Sequence, residues 1–535
     1  MKIPRQTAAW GWRGVCCLLF FCSLILNQRE LRDLFEHSFV ASHALRERGY
    51  CGNGAHTDSF RELVERFVPA DASVYYCADS EDGRLQPAER SIHLALSWAA
   101  SPRAVRFGGT NGVRDASFVV ASRFRRASFP GYRRVAQNEC AALWQKEDNP
   151  VHSTARSDCP PPSPLREGLG VAVASLLVVG LVFLVLRSCG GSAENRLPPI
   201  AVASVAVAVF LVAGYLALSH TFIAPTGLGV YGGKARLLFL GGGLPSGFFT
   251  DAAYSSFQPA YPPGLALLTL VAYAVAGGCG EWLTQLLVVV AFAAVVAILC
   301  SRARSFSGCV FVLALMLTPL ALRVASLYYA EPFVALCVLV GWLRVRGRRG
   351  DCVGWFVLGL AGLFKNEGMV LALVCWLALR LVEGRREASV RGLVVALALP
   401  ALWQVGCRLS GATLYDFAVP WNPDLSRAWT ALVFALKEVF ACPWQSAVVW
   451  PLALALGLAL LARRMMRRHI PFATSGFIAA LLVAALSFGA FVFVFSISRA
   501  PDFAWHLRTA MPRLLWTPAL LLALGILRLD ASRES

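Results

Sequence analysis

Apolar residues in this chain gather into long runs instead of alternating with polar ones, and short polar segments punctuate them. Runs such as residues 170–186 and 200–218 have the ~20-residue length at which an α-helix crosses a hydrocarbon core. The pattern predicts spans over 167–187, 199–219, 281–300, 307–327, 331–344, 352–364, 368–382, 392–407, 447–462, 471–495 and 513–528. A shorter run at 14–26 follows Lys2, Arg5 and Arg13, and no small-x-small cleavage site comes after it, so residues 1–27 read as an uncleaved signal anchor. That makes about twelve crossings.

The sizeable polar block is residues 28–166. Segments 72–77, 104–107 and 117–121 read as strands and 87–100 as an amphipathic helix, an order that predicts one small α/β domain. A proline-rich linker, 158–164, leads from it into the next span.

Charge then orients the spans. Arg302/Arg304, Arg344/Arg346/Arg348/Arg349, Arg380/Arg385/Arg386/Arg391 and Arg463/Arg464/Arg467/Arg468 mark cytoplasmic loops by the positive-inside rule and put the N-terminus in the cytoplasm. The opposite loops carry Glu331, Lys365-Asn366-Glu367, Asp416, Asp424 and Asp502. Two consequences follow. Residues 261–278, with Pro262 and Pro263 near the start, must be a re-entrant or interfacial half-helix, since a crossing there would turn every later arginine cluster outward. Residues 352–382 must be a hairpin, because one helix through them would leave Lys365 and Glu367 in mid-membrane.

Composition agrees with a membrane protein: 535 residues, 57% hydrophobic, with a mean hydropathy of +0.58. The net charge of +18 sits mostly in short loops beside apolar helices, so it argues against a nucleic-acid partner. Of the sixteen cysteines, all but Cys51, Cys77, Cys140 and Cys159 lie in or beside apolar runs, where cysteine is a small buried hydrophobe. Those four stand in the exported block and are disulfide candidates, with three connectivities open. The chain has no N-x-S/T sequon, which leans toward a bacterial inner membrane.

Outward segments that could carry chemistry are the loop 220–262, with Tyr231, Lys234, Arg236 and Asp251; Tyr328-Tyr329-Ala330-Glu331-Pro332; and the Lys365 to Gly368 turn. Read with Tyr261-Pro262-Pro263-Gly264 and with Trp505-His506-Leu507 followed by Arg513-Leu514-Leu515, these segments resemble, in order, the motifs of the GT-C class of polytopic glycosyltransferases. The nearest likeness is to bacterial relatives of 4-amino-4-deoxy-arabinose transferases and protein mannosyltransferases, over roughly residues 200–528. The resemblance implies an all-α polytopic fold of about twelve transmembrane helices, GT-C-like, with the small extracytoplasmic α/β domain near its N-terminus. It also implies transfer of a sugar from a polyprenyl-phosphate carrier to an envelope glycan, lipid or protein acceptor at the outer membrane face, amid membrane lipids.

Such transfer needs a carboxylate to take a hydroxyl proton or hold a divalent metal, Mg²⁺ or Mn²⁺, and cations to neutralise the departing phosphate. Asp251, Glu331 and Glu367 are the candidate carboxylates, with Asp251 and Glu331 also candidate metal ligands. Lys234, Arg236, Tyr261, Lys365, His506 and Arg513 are the candidate substrate and phosphate partners. The chain departs from the family in having Gly227-Leu228-Gly229-Val230 where an acid is expected just upstream of the Lys234-Ala235 pair. Competing readings make Glu331 a helix-start residue, Lys365 and Glu367 a turn-stabilising ion pair, and His506 a satisfied interfacial histidine. A transporter or flippase of lipid-linked substrates, or an inactive GT-C-like scaffold, stands as the alternative function.

Overall fold

The computed structural model describes residues 68, 74–77, 105–108, 118–122, 132–137, 141–146, 199–219, 227–251, 254, 257–278, 281–303, 306–347, 351–384, 388–412, 423–440, 450–451, 453–455, 472–498 and 503–531. The signal anchor, the helix expected at 87–100, the linker, the span 167–187 and most of 447–462 lie outside these residues, as do Cys51, Cys140 and Cys159.

The polar block 28–166 contributes a five-stranded sheet: β1 (Val74–Cys77), β2 (Val105–Gly108), β3 (Phe118–Ser122), β4 (Tyr132–Gln137) and β5 (Ala141–Lys146), in the order β2-β1-β3-β5-β4. β1 pairs parallel with β2 and β3, whereas β5 runs antiparallel to β3 and β4. The three expected strands are present. The β4–β5 hairpin was not expected, because its arginines and glutamine interrupt the apolar alternation that marks strands.

Helices make up most of the rest: α1 (Pro199–Ser219), α2 (Lys234–Gly241), α3 (Gly264–Ala276), α4 (Glu281–Cys300), α5 (Phe306–Met316), α6 (Pro319–Ser326), α7 (Glu331–Gly347), α8 (Cys352–Phe364), α9 (Asn366–Val382), α10 (Val390–Leu409), α11 (Leu425–Phe440), α12 (Phe472–Ser496) and α13 (Phe503–Ala531). Among the described residues four stretches are long and apolar enough to cross a membrane: Leu283–Cys300, Val390–Leu409, Ser475–Ser496 and His506–Arg528. α3 has 13 residues. At 1.5 Å per residue that is ~20 Å, short of a ~30 Å hydrocarbon core.

Side-chain contacts fix the helix directions. α8 runs against α7, since Phe333 stacks on Phe364 at one end while Arg344 pairs with Asp351, 2.8 Å away, at the other. α8 runs with α10, where Gly359 lies so close to Ala396 that a Cβ would come within 2.1 Å of its carbonyl oxygen. The chain reverses at Lys365. A Cβ on Gly368 would fall 2.1 Å from the Ala361 oxygen, so only glycine permits so tight a return. α9 then brings Glu383 back to Arg346, 2.7 Å apart, at the far end of α7. The hairpin read from the arginine pattern is thus the observed arrangement.

Two elements differ from expectation. The span 307–327 is broken into α5 and α6 with a 65° bend. Thr318 caps α6 by accepting a hydrogen bond from the Ala321 amide, and Pro319 follows it at the helix start. The second is α11, in a segment read as loop. The Asp424 amide donates to the Ser496 carbonyl, Arg427 donates to the Ser498 carbonyl and lies over the Phe503 ring. At its other end Glu438 and Val439 share a small cavity with Pro512, Leu515 and Trp516, so α11 runs alongside α13 in the same direction.

Candidate functional site

Four charged side chains meet at one end of the bundle. Glu331 opens α7 just after the Tyr328-Tyr329-Ala330 break, where the helix dipole favours a carboxylate and Pro332 costs no hydrogen bond. Lys365 is the single extended residue between α8 and α9, and Glu367 stands in the first turn of α9. Arg513 comes from α13, fixed by its Nε donating to the Thr509 carbonyl at 2.7 Å and by its guanidinium lying 4.3 Å from the centre of the Tyr329 ring.

The geometry divides the two acids. Glu331 Oε1 accepts from Lys365 Nζ at 3.2 Å and from Arg513 Nη1 at 3.1 Å. Its side chain is almost wholly buried, and that one oxygen pairs with both cations. Glu367 Oε1 lies 3.5 Å from the same lysine, and its second oxygen, Oε2, is buried with no hydrogen-bond partner. Glu367 therefore keeps a buried acceptor oxygen outside these bonds, while Glu331 holds both cations through Oε1.

Tyrosines wall this cluster. A π-helical turn, Gly227–Gly233, buries Tyr231 against Tyr261 and Tyr328 in edge-to-face contacts of 5.8 and 6.0 Å. The Tyr231 and Tyr261 hydroxyls are hydrogen-bonded to each other and lie within electrostatic reach of Glu331 and Glu367. Tyr328 in turn bonds Thr269 on α3.

Of the residues singled out from sequence, Glu331, Lys365, Glu367 and Arg513 come together, with Tyr261 beside them. Lys234, in the loop read as outward, is joined through Tyr261, whose carbonyl accepts from its Nζ at 2.8 Å. Burial pushes the Lys234 ammonium down to about 7, so the folded state holds it neutral over much of the alkaline range. Arg236 is buried in the first turn of α2. Asp251 sits in the turn after Gly247, its amide bonded to the Gly247 carbonyl at 2.8 Å, and takes no part in the bonds of the four-residue cluster. His506 bonds Ser498 at 3.3 Å and stands edge-on to Phe495, two turns of α13 before Arg513. Asp424 caps α11, and the Ser426 hydroxyl and Arg427 amide lower its carboxyl below the usual range.

A divalent ion does not fit at Glu331 as it stands, because its Oε1 already faces two cations within 3.2 Å. Among the described residues no group of three or more His, Cys, Asp or Glu side chains is placed to hold a metal. At Gly227 there is no room for a side chain, acidic or otherwise: a Cβ there would stand 2.6 Å from the Tyr328 oxygen.

The exposed Arg323 on α6 was not singled out from sequence, and Tyr329, beneath Arg513, was noted only as part of the Tyr328 to Pro332 segment. Thr318-Pro319, a helix-start pair in the middle of an apolar run, is the signal from which the α6 break and Arg323's position could have been read. No protein-family model matches the chain, and neither a curated protein nor a solved structure matches it.

Proposed function

We propose that the chain is an integral-membrane glycosyltransferase of about twelve spans, moving a sugar from a polyprenyl-phosphate carrier to an acceptor hydroxyl at the outer face of a bacterial inner membrane, with its exported sheet part of a small α/β domain. The observation that carries this reading is the division of labour between Glu331 and Glu367. Glu331 holds Lys365 and Arg513 side by side, while Glu367 keeps a buried, unpartnered oxygen. An intramembrane group of ions of this kind is functional by default, since an apolar packing would be cheaper.

In the reaction, the acceptor oxygen forms a bond to the anomeric carbon as the carbon–oxygen bond to phosphate breaks. The electron pair leaves with the lipid phosphate, whose charge Arg513 and Lys365 neutralise, and the hydroxyl proton passes to Glu367 Oε2. Attack from the side opposite the phosphate inverts the anomeric centre. Glu331 is a positioning residue, acting through the two cations it holds. No step is routed through a metal.

The test is release and transfer of labelled sugar from a panel of polyprenyl-phosphate sugars by the purified protein in lipid. Turnover with at least one donor is expected; silence of the folded protein across the panel contradicts the reading. One observation favours a transporter instead. The helices α7 and α9 carry buried ion pairs at both ends, Glu331–Lys365 at one and Arg346–Glu383 at the other, as two gates would. Movement of the lipid-linked sugar across vesicles without sugar transfer would decide for it.

A further inference from the structure

The four-residue cluster is electrically balanced, with Lys365 and Arg513 set against Glu331 and Glu367. Balance suits a resting site but gives it little attraction for an anion arriving from the membrane. A cation outside the balance stands next to it. The 65° bend at Thr318 turns α6 aside, so that Pro319, Ala321, Leu322, Val324, Ala325 and Ser326 are buried and Arg323 is left exposed. Its guanidinium makes no hydrogen bond or ion pair among the described residues. The chain then runs from α6 directly through Tyr328 and Tyr329 to Glu331, and the Tyr329 phenol lies within electrostatic reach of Arg323 as well as of Arg513 and Lys365.

Tyr329 is thus within electrostatic reach of two arginines. Arg513 stacks on its ring with Nε and Nη1 committed, to Thr509 and Glu331, which leaves Nη2 as the donor not used in these bonds. Arg323 has its whole donor fork free of described partners. Arginine at such a place differs from lysine: a planar fork meets the paired oxygens of a phosphate ester with two parallel hydrogen bonds. Both arginines lie at the Glu331 end of α7, away from the Arg344 and Arg346 end, so Arg323 is not one of the cytoplasmic anchors that the positive-inside rule explains.

We infer that Arg323 is the receiving cation of the site, taking the phosphate ester of an incoming amphiphile and passing it across Tyr329 to Arg513. That the amphiphile is a sugar carrier rests on the function proposed above; the phosphate contact itself does not. Free inorganic phosphate and ordinary phospholipid headgroups offer the same oxygens, so the test must separate them.

The experiment measures binding of farnesyl phosphate, farnesol and inorganic phosphate to the wild type, Arg323→Gln and Arg323→Lys in nanodiscs of phosphatidylcholine, and again with phosphatidylglycerol added. Wild type is expected to bind farnesyl phosphate more tightly than farnesol or inorganic phosphate. Arg323→Gln should weaken that binding by about tenfold, the size of one charge-assisted hydrogen-bond pair, with Arg323→Lys between the two. Farnesol binding should be indifferent to the substitution. Arg323 is exposed, and an unchanged unfolding temperature will show that the variants fold. Equal farnesyl phosphate affinity in Arg323→Gln overturns the inference, as does abolition of the difference by phosphatidylglycerol, which makes Arg323 an ordinary lipid anchor. Arg323-dependent binding without sugar transfer on any donor leaves the inference standing and removes the glycosyltransferase; transfer with Arg323-independent binding does the reverse.

Discussion

Lys365 has an acid on either side, and the residue-scale chemistry depends on which of them is already satisfied. Glu331 was legible in sequence as an acid at a helix start, and Lys365-Asn366-Glu367 as ions that a membrane would not tolerate unpaired. Their division of roles was not, because Arg513 lies 182 residues from Glu331 and no spacing announces that bond. Asp251 drew notice as the one acid of the loop 220–262, yet the cluster's bonds pass it by, and among the described residues the buried carboxylate oxygen without a hydrogen-bond partner is Glu367 Oε2. Lys234 gives a pH prediction. Its folded value of about 7 lies below the ordinary lysine value of 10.5, so in that interval the unfolded chain binds the extra proton and stability rises with pH. Below about 7 the burial penalty is present in full. Thermal unfolding in lipid should show the rise between neutral pH and about pH 10, on the order of a few kcal/mol, and Lys234→Met should flatten it.

At the scale of elements, the hairpin α8–α9 follows from charge alone, since arginines at both ends forbid a single crossing. The α5–α6 break does not, because an apolar run conceals a bend unless its Thr-Pro pair is read as a helix start. α11 was concealed differently: apolar residues recur around it at helical spacing, but the segment lies between charged loops and is too short to resemble a span. Ala431, Ala435 and Val439 are buried on α12 and α13, while Leu425, Trp429, Val433, Leu436 and Phe440 are exposed on the other side. That stripe fits lipid. A nitroxide at Val433 should be more accessible to oxygen than to a water-soluble nickel relaxant; the opposite order places α11 in water. At the other end of the bundle Arg346 is 2% exposed and pairs with Glu383. Glu383→Gln breaks that buried ion pair and should cost up to about 3–5 kcal/mol of stability, seen as a lowered unfolding temperature, whereas an unchanged temperature would show the pair to be solvated.

The whole molecule separates two kinds of charge along the axis of α7. Glu331, Lys365, Glu367 and Arg513 meet at one end, and Arg344, Asp351, Arg346 and Glu383 at the other. The arginine pattern had assigned these ends to opposite sides of the membrane, and the helix directions agree with that assignment for every helix from α7 to α10. In a cysteine-free background, a cysteine at Gly384 should react with an impermeant maleimide only from the cytoplasmic side and one at Ser410 only from the outside. The polar block 28–166 was legible as strands where apolar residues alternate, and illegible where arginines break the alternation in β4.

The central claim is that Glu367 accepts the proton while Glu331 holds the cations. Sugar transfer from a polyprenyl-phosphate donor by wild type, Glu367→Gln and Glu331→Gln in lipid, with unfolding temperatures measured on the same samples, tests it most directly. Glu367→Gln should lose about 10²-fold or more in rate with its unfolding temperature nearly kept. Glu331→Gln should lose both rate and stability, as two buried cations lose their partner. Full transfer by folded Glu367→Gln would contradict the account.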